Sequence, residues 1–163
     1  MNRNILSAVL IMTLATGFAA EDPKELLAAK KEFAAAPHPD EAARQHYITT
    51  LARLREKLAK SNGNWQAVDA ELRHHPVPSD ADSKALSSLR AGKWKSPRHD
   101  YLFRKDGTWT MLPAEPDATR GQWRIEGNRY HEEDRTYTLI LLTNKDLIFT
   151  DGQVVFYETR EGK

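Results

Sequence analysis

From Gly92 onward the chain is cut into short apolar and β-branched runs by turn signals: Asp106-Gly107, Gly127-Asn128, Asn144-Lys145-Asp146 and Asp151-Gly152. No other feature narrows the fold as much. Asp-Gly and Gly-Asn pairs supply the positive backbone dihedrals of tight hairpin turns, whose twist matches that of the strands they join, so successive runs become antiparallel neighbours. The pattern predicts eight strands, near residues 93–97, 101–104, 108–111, 122–126, 129–132, 136–143, 147–150 and 153–159. An up-and-down meander of that length removes its exposed edges by closing into a small barrel.

Before residue 76 the apolar spacing is helical. Asp22-Pro23-Lys24-Glu25 places a capping acid, a proline at the first helical position and a Glu three residues after the cap, which predicts a helix reaching about residue 36. Pro39-Asp40-Glu41 opens a second helix, with Tyr47, Ile48, Leu51, Leu54 and Leu58 on one face and Ser61-Asn62-Gly63 as its stop. Asn64 caps a third, shorter helix carrying Trp65, Val68 and Leu72. Residues 76–83 have linker composition, and a brief helix with Leu86 and Leu89 follows before Gly92. The predicted fold class is α+β, with a helical hairpin segment over 22–75, a linker with a short helix over 76–91 and a barrel domain over 92–160.

The residues Gly92-Lys93-Trp94, Tyr101-Leu102-Phe103, Lys105-Asp106-Gly107-Thr108-Trp109, Gly121-Gln122-Trp123-Arg124-Ile125 and Tyr137-Thr138-Leu139-Ile140 resemble the small lipocalin-like barrel domains of uncharacterised exported bacterial proteins. There a Gly-x-Trp opens the first strand and a Phe-x-x-Asp-Gly-Thr-Trp hairpin follows. The resemblance covers roughly residues 90–160. It implies a barrel fold and the binding of a small ligand, and it transfers no catalytic residue. An eight-stranded barrel with walls this short stands at the limit between a filled interior and a ligand-holding one.

Three late runs, Leu139-Ile140-Leu141-Leu142, Leu147-Ile148-Phe149 and Val154-Val155-Phe156-Tyr157, are apolar without alternation, so both of their faces should be covered. The apolar face of the helical segment is the nearest cover. A dimer interface or a partner protein is the alternative.

The first residues read as an export signal: Arg3 as a basic start, an apolar run over residues 5–16, and Gly17-Phe18-Ala19 as small residues at a cleavage site after residue 19. The run is shorter than the roughly 20 residues a membrane-spanning helix needs, so no membrane span is expected after cleavage. The predicted location is periplasmic or secreted. With no cysteine there is no disulfide framework and no thiolate chemistry. The 24 basic and 23 acidic residues are balanced in both halves, which argues against nucleic acid as a partner. One basic stretch, residues 84–105, sets seven Lys or Arg against Asp100 alone and reads as solvated strand faces ahead of an anion patch.

No glycine-rich phosphate loop and no Gly-x-Ser-x-Gly elbow are present. His131-Glu132-Glu133-Asp134-Arg135 lacks the second histidine of a zinc-protease helix, and the tandem His74-His75 reads as a helix end, so no metal or other cofactor is expected. Glu126, Glu132, Glu133, Asp134 and Asp151 are carboxylates from which an acid/base pair could be drawn, but spacing pairs no two of them. The candidate ligand-binding residues are Trp94, Tyr101, Phe103, Trp109 and Trp123, which read first as core filling and second as a sugar or lipid platform, together with Arg98 and His99 at the barrel mouth. No catalytic residue is assigned. The expected function is that of an exported noncatalytic binding or protein-interaction module, taking a small apolar or glycan ligand or pairing with an exported partner or a second copy. The alternatives are an envelope-acting hydrolase with carboxylates or His99 at the barrel mouth, and an accessory subunit of another exported protein.

Overall fold

A computed structural model describes residues 22–36, 40–113 and 119–161. The expected export signal over 1–19 lies outside the described residues. Four helices precede eight strands: α1 (Lys24–Ala35), α2 (Glu41–Lys60), α3 (Trp65–Leu72), α4 (Ser83–Arg90), then β1 (Gly92–Lys95), β2 (Asp100–Phe103), β3 (Thr108–Leu112), β4 (Arg120–Glu126), β5 (Arg129–Glu132), β6 (Arg135–Leu142), β7 (Asp146–Thr150) and β8 (Val155–Arg160). Each strand pairs antiparallel with the next and β8 returns to β1, so the sheet is a closed up-and-down barrel. The α+β class and the eight-stranded meander are as the turn pattern dictates. Gly107 and Gly127 sit at φ +83° and +56°, the left-handed backbone their hairpins require.

Helix starts follow the expected caps with one exception. The Asp40 side chain accepts from Ala43 N at 2.8 Å, and Asn64 accepts from Ala67 N at 3.3 Å. At α1 the N-cap is Pro23, with no side-chain cap, and the carboxylate of Asp22 instead holds Lys30 Nζ at 3.0 Å. An ion pair about two turns further on has taken the acid that the sequence assigns to capping.

Residues paired across a ladder share a face. The register therefore places Trp94, Tyr101, Phe103, Trp109, Trp123, Ile125, Tyr130, Tyr137, Phe149 and Glu158 inside the barrel. A bulge between Leu139 and Leu141 shifts the register of β6, and Ile140 and Leu141 both join the outer core. There, with Ile148 and Val155, they pack against Leu26, Tyr47, Ile48, Leu51, Val68 and Leu72 of α1, α2 and α3. The uninterrupted apolar runs are thus covered on the outer face in part by this chain's own helices, which bury Ile140, Leu141, Ile148 and Val155, while Val154 stays 52% exposed.

Polar ties fix that layer. Arg44 of α2 donates to the carbonyls of Ile140 at the bulge and of His75, each at 3.0 Å. Asp69 of α3 accepts from Tyr157 Oη of β8 at 2.7 Å and from Arg55 Nε of α2 at 3.2 Å, and the Arg55 guanidinium lies 4.5 Å from the Tyr157 ring centroid. The segment before α4 and the first residue of α4 are equally anchored: Val77 N donates to Leu139 O at 2.8 Å and Gly127 N to Ser83 Oγ at 2.7 Å. Among the described residues no helix is long and apolar enough to cross a membrane.

Candidate functional site

The five aromatic residues named from sequence all lie in the barrel interior. Phe103 is their hub, with ring centroids 6.0 Å from Tyr101, 6.4 Å from Trp109 and 5.9 Å from Trp123. Trp94 is fully buried, Phe103, Trp109 and Trp123 nearly so, and Tyr101 is half-buried. The indole of Trp94 donates to Arg90 O at 2.6 Å, and that of Trp123 lies 3.1 Å from both Arg104 O and Thr108 O. These rings fill the cylinder. Arg98 and His99 stand apart from them on the exposed turn between β1 and β2, where the Ser96 hydroxyl donates to His99 O at 2.8 Å. The His99 ring meets only the rim of the plug, 6.3 Å from Tyr101.

Running through the aromatic core is a charged chain that sequence reasoning missed. Arg90, at the end of α4, has 0% exposure, so it is no part of a solvated basic face. Its guanidinium donates from Nη1 to Glu158 Oε2 at 2.5 Å and from Nη2 to Tyr130 Oη at 3.0 Å, and sits 3.4 Å from the Phe103 ring centroid. Tyr130 Oη in turn donates to Glu132 Oε2 at 2.5 Å. Burial works against the Arg90 charge, but Tyr130 and Glu158 outweigh it and raise its pKa. Burial pushes the Tyr130 phenol far up, and it raises the Glu132 carboxyl against the opposing pull of Tyr130 and Arg90. A signal for this chain does exist in the sequence. Leu86, Leu89 and Arg90 recur at helical spacing on one face of α4, and Glu132 follows Tyr130 at period two in β5, whereas Glu158 ends an apolar run without alternation and its inward position comes from the register opposite Leu147.

Of the other carboxylates named from sequence, Glu126 pairs with Arg124 at 2.8 Å, Glu133 accepts from Gln122 N, and Asp151 accepts from Gln153 N and Val154 N at 2.8 Å. They are turn and surface groups, and Glu132 alone among the five joins the interior chain. His75, expected as a helix end, holds Glu71 at 3.0 Å and meets the Phe33 and Tyr47 rings edge-on. Among the described residues no three His, Asp or Glu side chains are grouped to hold a metal ion.

Concavity lies outside the barrel. A groove of about 540 Å3 separates the flank of α2 from the outer surface of β7, β8 and the end of β1. Thr49, Ala52, Arg53 and Glu56, spaced at three and four residues, form its helical wall. Leu141, Ile148 and Tyr157, opposed across β6, β7 and β8, lie beneath it, and Asp146, Thr159 and Lys95 form the far wall. Its size falls within the range of small-molecule sites. Glu158 belongs both to this lining and to the interior chain. A wider cleft of about 730 Å3 over β3 and β4 has several of its polar side chains engaged within its own walls, Arg104 with Thr110, Asp106 with Thr108, and Glu133 with Gln122 N, while the buried Trp109 Nε1 has no hydrogen-bond partner.

Comparison of the chain with protein-family models, with curated proteins and with solved structures finds no match.

Proposed function

We propose that this chain is an exported, noncatalytic binding module in which a lipocalin-like barrel is a filled scaffold and the ligand is taken on its outer surface, in the groove under α2. The observation that carries this reading is the pairing of an aromatic plug inside the barrel with an open, mostly apolar groove outside it. A ligand entering the cylinder would have to displace rings that bury roughly 150–250 Å2 each, whereas the groove needs no rearrangement. In this reading α1 and α2 form a helical hairpin that serves the barrel as the groove's outer wall. The apolar and glycan ligands expected from sequence then compete for one outer site, with Trp94, Tyr101, Phe103, Trp109 and Trp123 supporting the wall from within.

The test is equilibrium binding of fatty acids, glycans and cell-envelope extract to the intact chain and to Thr159→Trp. Position 159 is exposed on the far wall, so an indole there fills the groove. Binding that is lost in Thr159→Trp supports the reading. Binding that survives it, or no binding by either protein, sinks it.

One observation favours a second reading. Glu132 is a partly buried carboxyl with a raised pKa, hydrogen-bonded to a phenol, which is the environment of a general acid. Hydrolysis of an envelope glycan or ester that is abolished by Glu132→Gln, with the fold retained, would establish an enzyme.

A further inference from the structure

Five charged side chains line the groove under α2, and three are already neutralised. Glu56 holds Lys60 at 2.7 Å, Lys95 holds Glu161 at 3.2 Å, and Glu158 holds Arg90 at 2.5 Å. The other two are Arg53 on the α2 wall and Asp146 at the start of β7, whose side chains have no hydrogen bond or ion pair among the described residues. They are of opposite sign and stand on opposite walls, yet they do not bridge to each other. The rest of the lining is mixed: Thr49, Ser96 and Thr159 contribute hydroxyls, and its apolar part is Ala52, Pro97 and the Tyr157 ring, partly or fully exposed, over a floor closed by Leu141 and Ile148.

A ligand matched to this arrangement carries one positive and one negative group next to an apolar portion. A simple anion would meet Arg53 but be repelled by Asp146, and a simple cation would meet the reverse. A neutral amphiphile would leave both charges unanswered, at the loss of some of their hydration. We propose that the groove binds a single-chain zwitterionic amphiphile, with its phosphate on Arg53, its ammonium group on Asp146, and its chain against Ala52, Pro97 and Tyr157. This assignment rests on the groove being the binding site.

The experiment titrates the intact chain with four probes that share a twelve-carbon tail, each below its micelle concentration: dodecylphosphocholine, dodecanoate, dodecyltrimethylammonium and dodecyl maltoside. Free phosphocholine serves as a tailless control. The expected order puts dodecylphosphocholine about tenfold tighter than any of the others, the scale set by two partly exposed ion pairs, with no measurable binding of free phosphocholine. Arg53→Ala is expected to erase the preference over the cation, Asp146→Ala the preference over the anion, and Thr159→Trp all binding, each variant keeping the parent's circular dichroism and melting temperature within a few degrees.

Equal binding of all four tailed probes, lost in Thr159→Trp, overturns the headgroup assignment and leaves the groove as the binding site. Binding indifferent to Thr159→Trp overturns both. Concentration-dependent dimerisation that Thr159→Trp abolishes, with no probe bound, also overturns the proposal, since a second copy is then the occupant.

Discussion

Arg90 shows what a single residue decides in this fold. Its guanidinium is wholly inside the barrel and has one full ionic partner, Glu158. Removing either partner alone strands the other's charge in an aromatic core, so Arg90→Ala and Glu158→Ala are each expected to cost about 3–5 kcal/mol in denaturant unfolding. Replacing both with apolar residues of similar size, Arg90→Met with Glu158→Leu, is expected to recover most of that loss, and a double-mutant cycle reads the coupling. Additive single effects would show that the two do not act as a pair. Glu132 makes a complementary case. Its folded pKa is raised, chiefly by burial, so the native state binds the proton more tightly than the unfolded chain does. The stability this confers is complete below the unfolded-state value of about 4.3 and is lost as pH rises through the higher folded value. Glu132→Gln should therefore melt a few degrees above the parent at pH 7.5 and level with it at pH 4. A variant that melts below the parent at pH 7.5 would contradict this.

At the scale of elements, the helical layer is joined to the barrel by apolar packing and by a few buried polar ties. Tyr157 is the tie that spans α2, α3 and β8: its hydroxyl donates to Asp69 at 2.7 Å and its ring faces Arg55. Burial, and after it Asp69, raises the Tyr157 pKa, so the hydroxyl stays a donor through mildly alkaline pH. Tyr157→Phe keeps the ring and removes one hydrogen bond to a charged acceptor, with an expected loss of about 1.5–3 kcal/mol. Hydrogen exchange should show that loss as faster exchange in α3; an effect confined to β8 would place the tie elsewhere. The elements themselves were legible in the sequence because each rests on local chemistry. Asp106-Gly107 and Gly127-Asn128 fix hairpins by backbone sterics, and Asp40 and Asn64 fix helix starts by a side-chain acceptor. What could not be read was long-range. Arg44 reaching the Ile140 carbonyl, Lys30 of α1 meeting Glu71 of α3, and Arg90 meeting Glu158 each depend on which elements pack together, and no spacing within one element encodes that. The aromatic residues were legible as an interior set because large rings in a short-walled barrel read first as core filling, whereas the groove combines a flank of α2 with β7, β8 and the end of β1, segments distant in sequence.

For the molecule as a whole, the space inside the barrel is distinct from the surface outside it. The interior is occupied by rings and by one charged chain, and the outer face of β6, β7 and β8 is shared between helices and an open groove. With the groove as the proposed binding site, binding needs no opening of the cylinder, and the barrel's part is to hold Tyr157, Asp146 and Lys95 at fixed positions opposite α2. The indole N–H resonances of Trp94, Trp109 and Trp123 report on the interior, and the backbone amides of residues 49–56, 146–148 and 157–159 report on the groove. Titrating isotopically labelled protein with dodecylphosphocholine and following both sets in one nuclear magnetic resonance spectrum tests the division most directly. The groove amides are expected to shift in a saturable way while the three indole signals stay in place. Shifts in the indole signals with the groove amides unmoved would show that the cylinder, and not its outer wall, receives the ligand.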